Sequence, residues 1–339
     1  MSAPRTGNFP LKKLVLAAGL AGLVTLAGCT SASLEDLAPA PTISPKLARE
    51  LKAKGFSEQD PVLVRIFKQE SEFEVWKRKP NGQYALFKTY PICRWSGKLG
   101  PKRQVGDRQA PEGFYHVSLG ALNPRSQYYV SFNLGFPNRL ERALGYTGDA
   151  LMVHGACSSS GCYALTDQQM AEIYPIVQKA LESGQGRFQV QAFPFRMTAE
   201  NMKRHAGNPN MSFWKNLKTG YDYFETTKRE PKVAACNGKY VFNVNFPDGK
   251  EPGPLDPCPP GVDGPSVEPL AFANADTVET GAISTSVSTH ASAYVDGGMH
   301  KTYRTMLERY GAKGLAARVS KTKYPISRPE AALKDPFSR

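Results

Sequence analysis

The chain of 339 residues is long enough for two domains, but its ends are too polar and too rich in Pro and Gly to bury a core, which excludes a second body of comparable size. We therefore expect one globular body of about 200 residues between two tails. Its 43 Lys and Arg against 30 Asp and Glu give a formal charge of +13, which predicts a basic surface for nucleic acid, membrane headgroups or another anionic polymer.

The N-terminus is typical of an exported protein. Three basic residues precede an apolar run over residues 14–27 that is short for a membrane span, so residues 1–28 are predicted to be a signal peptide. The sequence LAGC ending at Cys29 resembles the lipobox of bacterial lipoproteins, in which that cysteine is acylated; an ordinary cleaved signal with an incidental cysteine is the alternative. Thr30, in place of Asp, favours the outer membrane by the same resemblance. We expect a lipid anchor in the outer membrane, at the periplasmic face of the cell envelope, which excludes nucleic acid as the partner.

The next part of the chain moves from a tether to a β-rich body. Residues 29–44 are rich in Ser, Ala and Pro and are predicted to form an extended tether. Ser44-Pro45 supplies an N-cap and a first-turn proline for a helix. Apolar residues then recur at alternate positions, and Asn81-Gly82 between two such runs predicts a β-hairpin. Further strand-like runs cover residues 113–119, 127–132, 151–153 and 188–192. The run from Thr166 to Gln169 fits a capping box that opens a helix, and residues 211–217 are predicted to form another short helix. The sequence thus predicts a mostly β fold with peripheral helices.

The stretch over residues 151–167 reads LMVHGACSSSGCYALTD and carries the candidate chemistry. A short apolar strand delivers His154, and small residues lead to Cys162, so an imidazole and a thiol stand on neighbouring backbone segments. A histidine within reach of a thiol takes its proton and generates the nucleophilic thiolate. Gly161 permits a sharp turn, so the amides of Ser160, Gly161 and Cys162 can converge on an oxyanion.

Two other interpretations of this stretch stay open from spacing alone. Cys157 and Cys162 can belong to a structural loop, bonded to each other or to distant cysteines, as in many exported proteins. They can also form a thiol oxidoreductase site, although four intervening residues instead of two disfavour it. The sequence has no Cys and His spacing typical of zinc, so we expect no metal and no cofactor.

The same stretch resembles the active-site signature of YkuD-type L,D-transpeptidases, in which His-Gly is followed by Ser-x-Gly-Cys carrying the nucleophile. Residues 96–117, 193–205 and 213–227 resemble the YafK-like branch of that family, whose studied members act at meso-diaminopimelate in peptidoglycan, some of them releasing covalently attached lipoprotein. The resemblance covers about residues 44–243. Two departures from the commonest pattern are a shorter gap between His-Gly and Cys, and Ala164 where cross-linking members usually carry Arg.

The resemblance implies a YkuD-like β-sandwich and an enzyme acting on peptidoglycan stem peptides through an acyl-enzyme. The implied catalytic residues are Cys162 as nucleophile and His154 as general acid and base, with Gly161 and Ser160 in the oxyanion region. We expect Arg108 or a nearby Lys to bind a stem-peptide carboxylate, and Gly155 to lie in the substrate site. Without the Arg, the expected reaction shifts from cross-linking to hydrolysis, including the bond that links an outer-membrane protein to peptidoglycan. The alternative is a non-catalytic lipoprotein that binds the wall.

Domain boundaries follow from the same patterns. We expect the catalytic domain at residues 45–197 and a helical extension packed on it at 198–246. Residues 247–339 are predicted to be a low-complexity, largely disordered tail, because they contain few large apolar residues. Within that tail, apolar residues at helical spacing predict a short amphipathic helix near 299–310 that could dock on the body or on a partner.

The remaining cysteines and histidines are less specific. Cys236 and Cys258 flank a Pro- and Gly-rich stretch and are candidates for pairing, and the other two cysteines either pair or stay as buried thiols, so the connectivity is open. His116, on a predicted strand, is a candidate to orient the site histidine, although a core or surface role is the better interpretation. His205, on a predicted helix, is expected at the surface.

Overall fold

The computed structural model describes residues 39–246, 249–260, 262 and 297–333. The predicted signal peptide, the lipidation site Cys29, most of the predicted tether and the low-complexity run over residues 263–296 lie outside these ranges. None of the helices inside them combines the length and apolar character that crossing a bilayer requires.

Two five-stranded sheets, a separate two-stranded hairpin and a set of surrounding helices make up the described body, which confirms the predicted mostly β fold with peripheral helices. The helices are α1 (Pro45–Ala53), α2 (Arg139–Ala143), α3 (Asp167–Ala180), α4 (Ala199–Arg204), α5 (Met211–Thr227), α6 (Lys301–Val319) and α7 (Pro329–Ala332). The strands are β1 (Val62–Phe67), β2 (Glu72–Arg78), β3 (Tyr84–Pro91), β4 (Arg94–Trp95), β5 (Gly113–Ser118), β6 (Leu122–Ser126), β7 (Tyr129–Asn133), β8 (Met152–His154), β9 (Tyr163–Ala164), β10 (Arg187–Phe193), β11 (Val233–Cys236) and β12 (Lys239–Phe242).

The first sheet has the strand order β3-β2-β1-β10-β5, and only the β1–β10 pair in it is parallel. Its central strand β1 is buried at every position because helices cover the face that does not meet the second sheet. Arg65 lies inside this strand, and its guanidinium bonds Glu225 of α5 at 2.6 Å. The same group lies over the rings of Tyr221 and Phe224, 4.7 and 4.6 Å from their centroids. A buried charge is tolerated there because it is paired and rests on aromatic faces.

The second sheet, with the order β4-β9-β8-β7-β6, carries the candidate site. Its β8–β9 pair is parallel, and the other pairs are antiparallel. Phe132 of β7 meets Phe188 of β10 edge to face at 5.6 Å between centroids, so the apolar sides of the two sheets face each other across the core.

Several local predictions are confirmed. Ser44 caps α1 by accepting from the Leu47 amide, and Pro45 occupies the first turn. Strands β2 and β3 pair antiparallel across the Asn81-Gly82 turn, as the hairpin signal predicts. Helix α3 begins with a reciprocal capping box between Thr166 and Gln169.

Other elements differ from the sequence-based expectation. Helix α5 is longer than the predicted 211–217, since its apolar face continues along the first sheet to Phe224. The region predicted as a helical extension also contains the hairpin of β11 and β12. The Cys236–Cys258 bond closes that hairpin against the chain that follows, and Cys93 is bonded to Cys157, which settles the open connectivity.

The C-terminal residues 297–333 depart most from the predicted tail. Helix α6 extends past the predicted 299–310, through a break at Gly311, where φ is +66°. Apolar residues of α6 and of the chain on either side of it form a buried cluster with the Cys93–Cys157 bond: Met299, Tyr303, Leu307, Leu315, Val319, Ile326 and Ala332. Residues 297–333 are therefore packed on the body, because their apolar side chains are buried against the Cys93–Cys157 region.

Candidate active site

His154 ends strand β8 and is held from two sides. Its strand pairs with β7 through Ser131 and with β9 through Ala164, so the backbone is fixed on both edges. The ring is buried, and its Nδ1 lies 2.6 Å from the carbonyl oxygen of Gly155. A carbonyl oxygen only accepts, so Nδ1 carries the proton and Nε2 is the basic nitrogen. The ring also packs against Tyr128, with 4.7 Å between the centroids.

The backbone makes an unusual turn directly after the histidine. Ala156 and Cys157 both have positive φ, +65° and +49°, a conformation that costs a residue other than glycine about 1–3 kcal/mol. Two contacts hold the turn: the Ala156 amide donates to Asp167 Oδ1 at 2.9 Å, and Cys157 is bonded to Cys93. Residues outside the turn therefore hold it in this conformation: Asp167 at the start of α3, and Cys93 directly before β4.

Cys162 is the free cysteine of the described residues. The β8–β9 register pairs Val153 with Tyr163, which places Cys162 beside Met152 on the sheet face that also carries His154. The Met152 amide donates to Cys162 Sγ at 3.4 Å. The thiol and the imidazole thus lie two residues apart along one face, and the thiol is partly open to solvent.

Burial sets the charge states of this pair. It raises the pKa of the Cys162 thiol, an effect that the Met152 amide and the Lys102 ammonium partly offset. It lowers the pKa of His154 to about 4, partly offset by the Gly155 carbonyl. Both groups are therefore neutral near pH 7 in the resting protein. A neutral imidazole can take the thiol proton when substrate binds. The resting protein therefore does not hold a preformed thiolate–imidazolium ion pair.

The segment before the thiol is tied down through Ser159. Its buried hydroxyl donates to the Cys162 carbonyl at 2.7 Å and accepts from the Gly161 amide at 3.3 Å. Gly161 has φ +127°, and a Cβ there would lie 3.1 Å from Leu151 Cδ1, so this position favours glycine on both counts. Ser160 is exposed. Since the Gly161 amide is already bonded, the amides of Ser160 and Cys162 are the better oxyanion candidates.

Arg108 lies on the loop that faces this segment. Its carbonyl accepts from the Ser96 hydroxyl at 2.7 Å, and its backbone comes within 4.0 Å of the place a Cβ on Gly161 would occupy. The structure gives its half-exposed guanidinium no ion pair within the described ranges. On the same loop, the Lys102 ammonium bonds Asp107 at 2.5 Å, so Arg108 is the cation better able to take a ligand.

A buried ion pair anchors this loop to the body. The ammonium of Lys68 donates to Glu112 at 2.8 Å and to the carbonyls of Gly100 and Ala110 at 3.1 and 3.0 Å. Glu112 also accepts from the Trp214 indole at 2.9 Å. The two ends of the loop are therefore fixed, and the residues between them carry Arg108.

Gly155, His116 and His205 do not line an open site. Gly155 is buried, and a Cβ there would lie 2.5 Å from Asp167 Oδ1, so its backbone supports His154 and does not line a ligand surface. His116 belongs to the first sheet and lies 3.9 Å from Glu230, away from His154. His205 is buried, contrary to the expected surface position, because it bonds Gln69 at 2.8 Å and stacks on Phe195. Across the described ranges, no three His, Cys, Asp or Glu side chains converge as metal ligands would.

Sequence reasoning missed Tyr128, Ser159 and Asp167. Asp167 directly follows the helix cap Thr166, so it resembles an ordinary acidic residue of a first helical turn. Ser159 is one of three consecutive serines, and nothing in the sequence singles it out. Tyr128 is an ordinary aromatic residue near the start of the predicted strand 127–132, and nothing in the sequence marks its contact with the histidine.

Comparisons with known proteins agree with this geometry. The chain matches the family model of the L,D-transpeptidase catalytic domain, YkuD, over residues 64–190. It is 49% identical over 183 residues to the putative L,D-transpeptidase YafK of Escherichia coli strain K12, a match that covers 54% of this chain and 74% of the relative. The chain therefore belongs to the L,D-transpeptidase family.

Solved structures give more distant likenesses. The helical cell shape determining protein Pgp2 from Campylobacter jejuni aligns with a TM-score of 0.33 and 18% identity, over 52% of this chain and 64% of that one. Bd1075 from Bdellovibrio bacteriovorus aligns with a TM-score of 0.29 and 16% identity, over 54% of this chain and 64% of that one.

Proposed function

We propose that this protein is a cysteine enzyme that acts on peptidoglycan stem peptides at meso-diaminopimelate. His154 Nε2 takes the proton of the Cys162 thiol as sulfur attacks the carbonyl carbon of the scissile amide. The protonated imidazole then gives that proton to the leaving amine, and a thioester acyl-enzyme remains. An amine or a water molecule attacks the thioester, releases the product and restores the thiol. The free thiol beside a histidine whose Nδ1 is bonded to a carbonyl is the observation that carries this proposal.

Substrate binding is assigned to the loop that faces the thiol. The Arg108 guanidinium would pair with a carboxylate of the stem peptide, because the Arg108 backbone lies close to Gly161 and the guanidinium has no ion pair of its own in the described residues. The neighbouring Lys102 ammonium would act at longer range, since it already bonds Asp107. The amides of Ser160 and Cys162 would hold the oxyanion of the tetrahedral intermediate.

Hydrolysis is the proposed outcome, including the bond that links an outer-membrane protein to peptidoglycan. Ala164 is fully buried and presents no charged group where cross-linking members usually carry Arg. Without that group to orient an amine acceptor, water competes better for the acyl-enzyme. The LAGC sequence at Cys29 supports a lipid anchor at the periplasmic face of the outer membrane, where this substrate occurs.

The test is incubation of the purified protein with three defined muropeptides: a tetrapeptide, a cross-linked dimer and a protein-linked form. Mass spectrometry would follow the products, with Cys162→Ala as the inactive control and His154→Gln as a variant whose turnover should fall by orders of magnitude. Cleavage of the linked forms by the native protein alone supports the proposal. Dimers built from tetrapeptides, with the linked forms untouched, would overturn hydrolysis and keep the cysteine mechanism. Binding to the wall with no product from any substrate would instead support a non-catalytic wall-binding lipoprotein.

A further inference from the structure

The C-terminal segment that follows α6 crosses the turn between His154 and Cys162. We call residues 320–328 the crossing segment. It lies far along the chain from the residues that the family model matches, 64–190, yet it contacts the site at three separate points. Each point supports a different part of the His-to-Cys turn.

The first point is the carboxylate of Asp167. One oxygen accepts from the Ala156 amide at 2.9 Å, inside the left-handed turn. The other accepts from the Ser320 hydroxyl at 3.0 Å and from the Lys321 amide at 2.7 Å. A single buried carboxylate therefore joins the turn after His154 to the start of the crossing segment, and each of its oxygens is satisfied.

The second point lies on the other side of the turn. The Ser159 amide donates to the Ser327 hydroxyl at 2.9 Å. Ser159 in turn bonds the Cys162 carbonyl through its own hydroxyl. The crossing segment thus reaches the left-handed turn through Asp167 and also bonds the chain two residues after that turn, at Ser159.

The third point reaches the histidine ring itself. Tyr324 packs on Tyr128 with 4.3 Å between ring centroids, and Tyr128 packs on His154 at 4.7 Å. The Tyr324 hydroxyl donates to Gln127 Oε1 at 2.9 Å, which fixes the outer ring beside the chain that carries Tyr128. Three rings therefore form a stack whose outermost member belongs to the crossing segment and whose innermost member is the base.

We propose that Tyr324 is a positioning residue that holds Tyr128 against the His154 ring, so that the far C-terminal segment completes the active site. The Gly155 carbonyl fixes one ring nitrogen but permits the ring to tilt about that bond. Packing against the face of Tyr128 prevents this tilt. Tyr324 fills the space into which the Tyr128 ring would otherwise rotate. The inference rests on the proposed function for turnover, but the ring geometry is independent of it.

Two substitutions at Tyr324 and one control separate positioning from stability. Tyr324→Ala removes the outer ring, whereas Tyr324→Phe keeps the ring and loses only the hydrogen bond to Gln127. Tyr310→Ala is the matched control, because it removes an exposed tyrosine of the same C-terminal region whose ring lies against Arg318. Thermal unfolding of each variant establishes that it is folded, and Tyr324→Leu replaces the Ala variant if that variant is not.

A double-mutant cycle with His154→Gln gives the decisive readout. We expect Tyr324→Ala to lower kcat about tenfold or more with KM little changed, since small displacements of a catalytic group cost that much. Adding Tyr324→Ala to His154→Gln should not lower kcat further, because the imidazole ring that Tyr324 helps to position is then absent. Tyr324→Phe should restore turnover, and Tyr310→Ala should leave it unchanged.

The cycle is repeated with the rate of Cys162 alkylation by iodoacetamide, measured by mass spectrometry of the peptide that contains it. This rate needs no peptidoglycan substrate, so it tests the positioning even if the muropeptide assay shows no turnover. Effects of Tyr324→Ala and His154→Gln that are fully additive in this rate would overturn the proposal. So would native turnover and native alkylation in a folded Tyr324→Ala variant.

Discussion

Replacing Leu315 with Ala tests whether helix α6 belongs to the core of the body. The Leu315 side chain is fully buried in the cluster that contains the Cys93–Cys157 bond. A Leu to Ala change at such a site removes apolar contacts and leaves a cavity, at a cost of about 2–5 kcal/mol. For a domain of this size each kcal/mol lowers Tm by about 2–4 °C, so a loss of roughly 3 kcal/mol predicts a fall of about 6–12 °C.

The matched control is Leu333→Ala, the same chemical change at an exposed leucine of the same C-terminal region. We expect this control to change stability by less than about 0.5 kcal/mol. Scanning calorimetry with both disulfides intact measures the two variants against the native chain. A main transition that does not move in Leu315→Ala, with or without a small early transition, would show that α6 unfolds independently of the sheets and would refute the packing argument.

Three further substitutions, one of them with a matched control, and a pH profile test the site and the predicted anchor. Cys162→Ala should abolish turnover while Tm stays near the native value; residual turnover would contradict the nucleophile assignment. Because burial lowers the pKa of His154 to about 4, the basic form persists as pH falls, so kcat/KM should decline only around pH 4; a decline centred near 6.5 would refute a buried base. Gly161→Ala should cost about 1–3 kcal/mol of stability and slow turnover, since its φ is +127°, whereas Gly120→Ala, with open space around it, should do neither. Cys29→Ala should abolish lipid labelling and membrane fractionation of the expressed protein, and unchanged labelling would exclude the anchor.

Local sequence signals predicted the elements around the site. The capping residues Ser44 and Thr166 begin helices where the sequence indicates, because their side chains satisfy amides within three residues. The Asn81-Gly82 turn and the strand before His154 are likewise decided by neighbours in sequence. Interactions of this range are visible in a single sequence because both partners fall inside one short window.

The missed features all join residues that are far apart in the chain. Asp167 meets Ser320, and Ser159 meets Ser327, across more than a hundred residues in each case, with no periodic pattern to mark either partner. His205 was expected at the surface because its helix is polar, but Gln69 and Phe195 supply a buried partner and a stacking face. The apolar spacing near residues 299–310 was visible in the sequence, but the surface that those side chains cover forms only once the distant Cys93–Cys157 region is folded.

The buried pair of Lys68 and Glu112 has a consequence for how this protein can diverge. Losing either partner alone would leave an unpaired charge in the interior, at a cost of about 3–5 kcal/mol, which is comparable to the whole stability of many domains. An exchange for apolar residues would therefore have to change both positions together, and would also leave the Trp214 indole without its acceptor. Single substitutions that lineages can accumulate are confined to the exposed middle of the loop. New substrate preferences should consequently arise around Arg108, while the ends of the loop stay fixed.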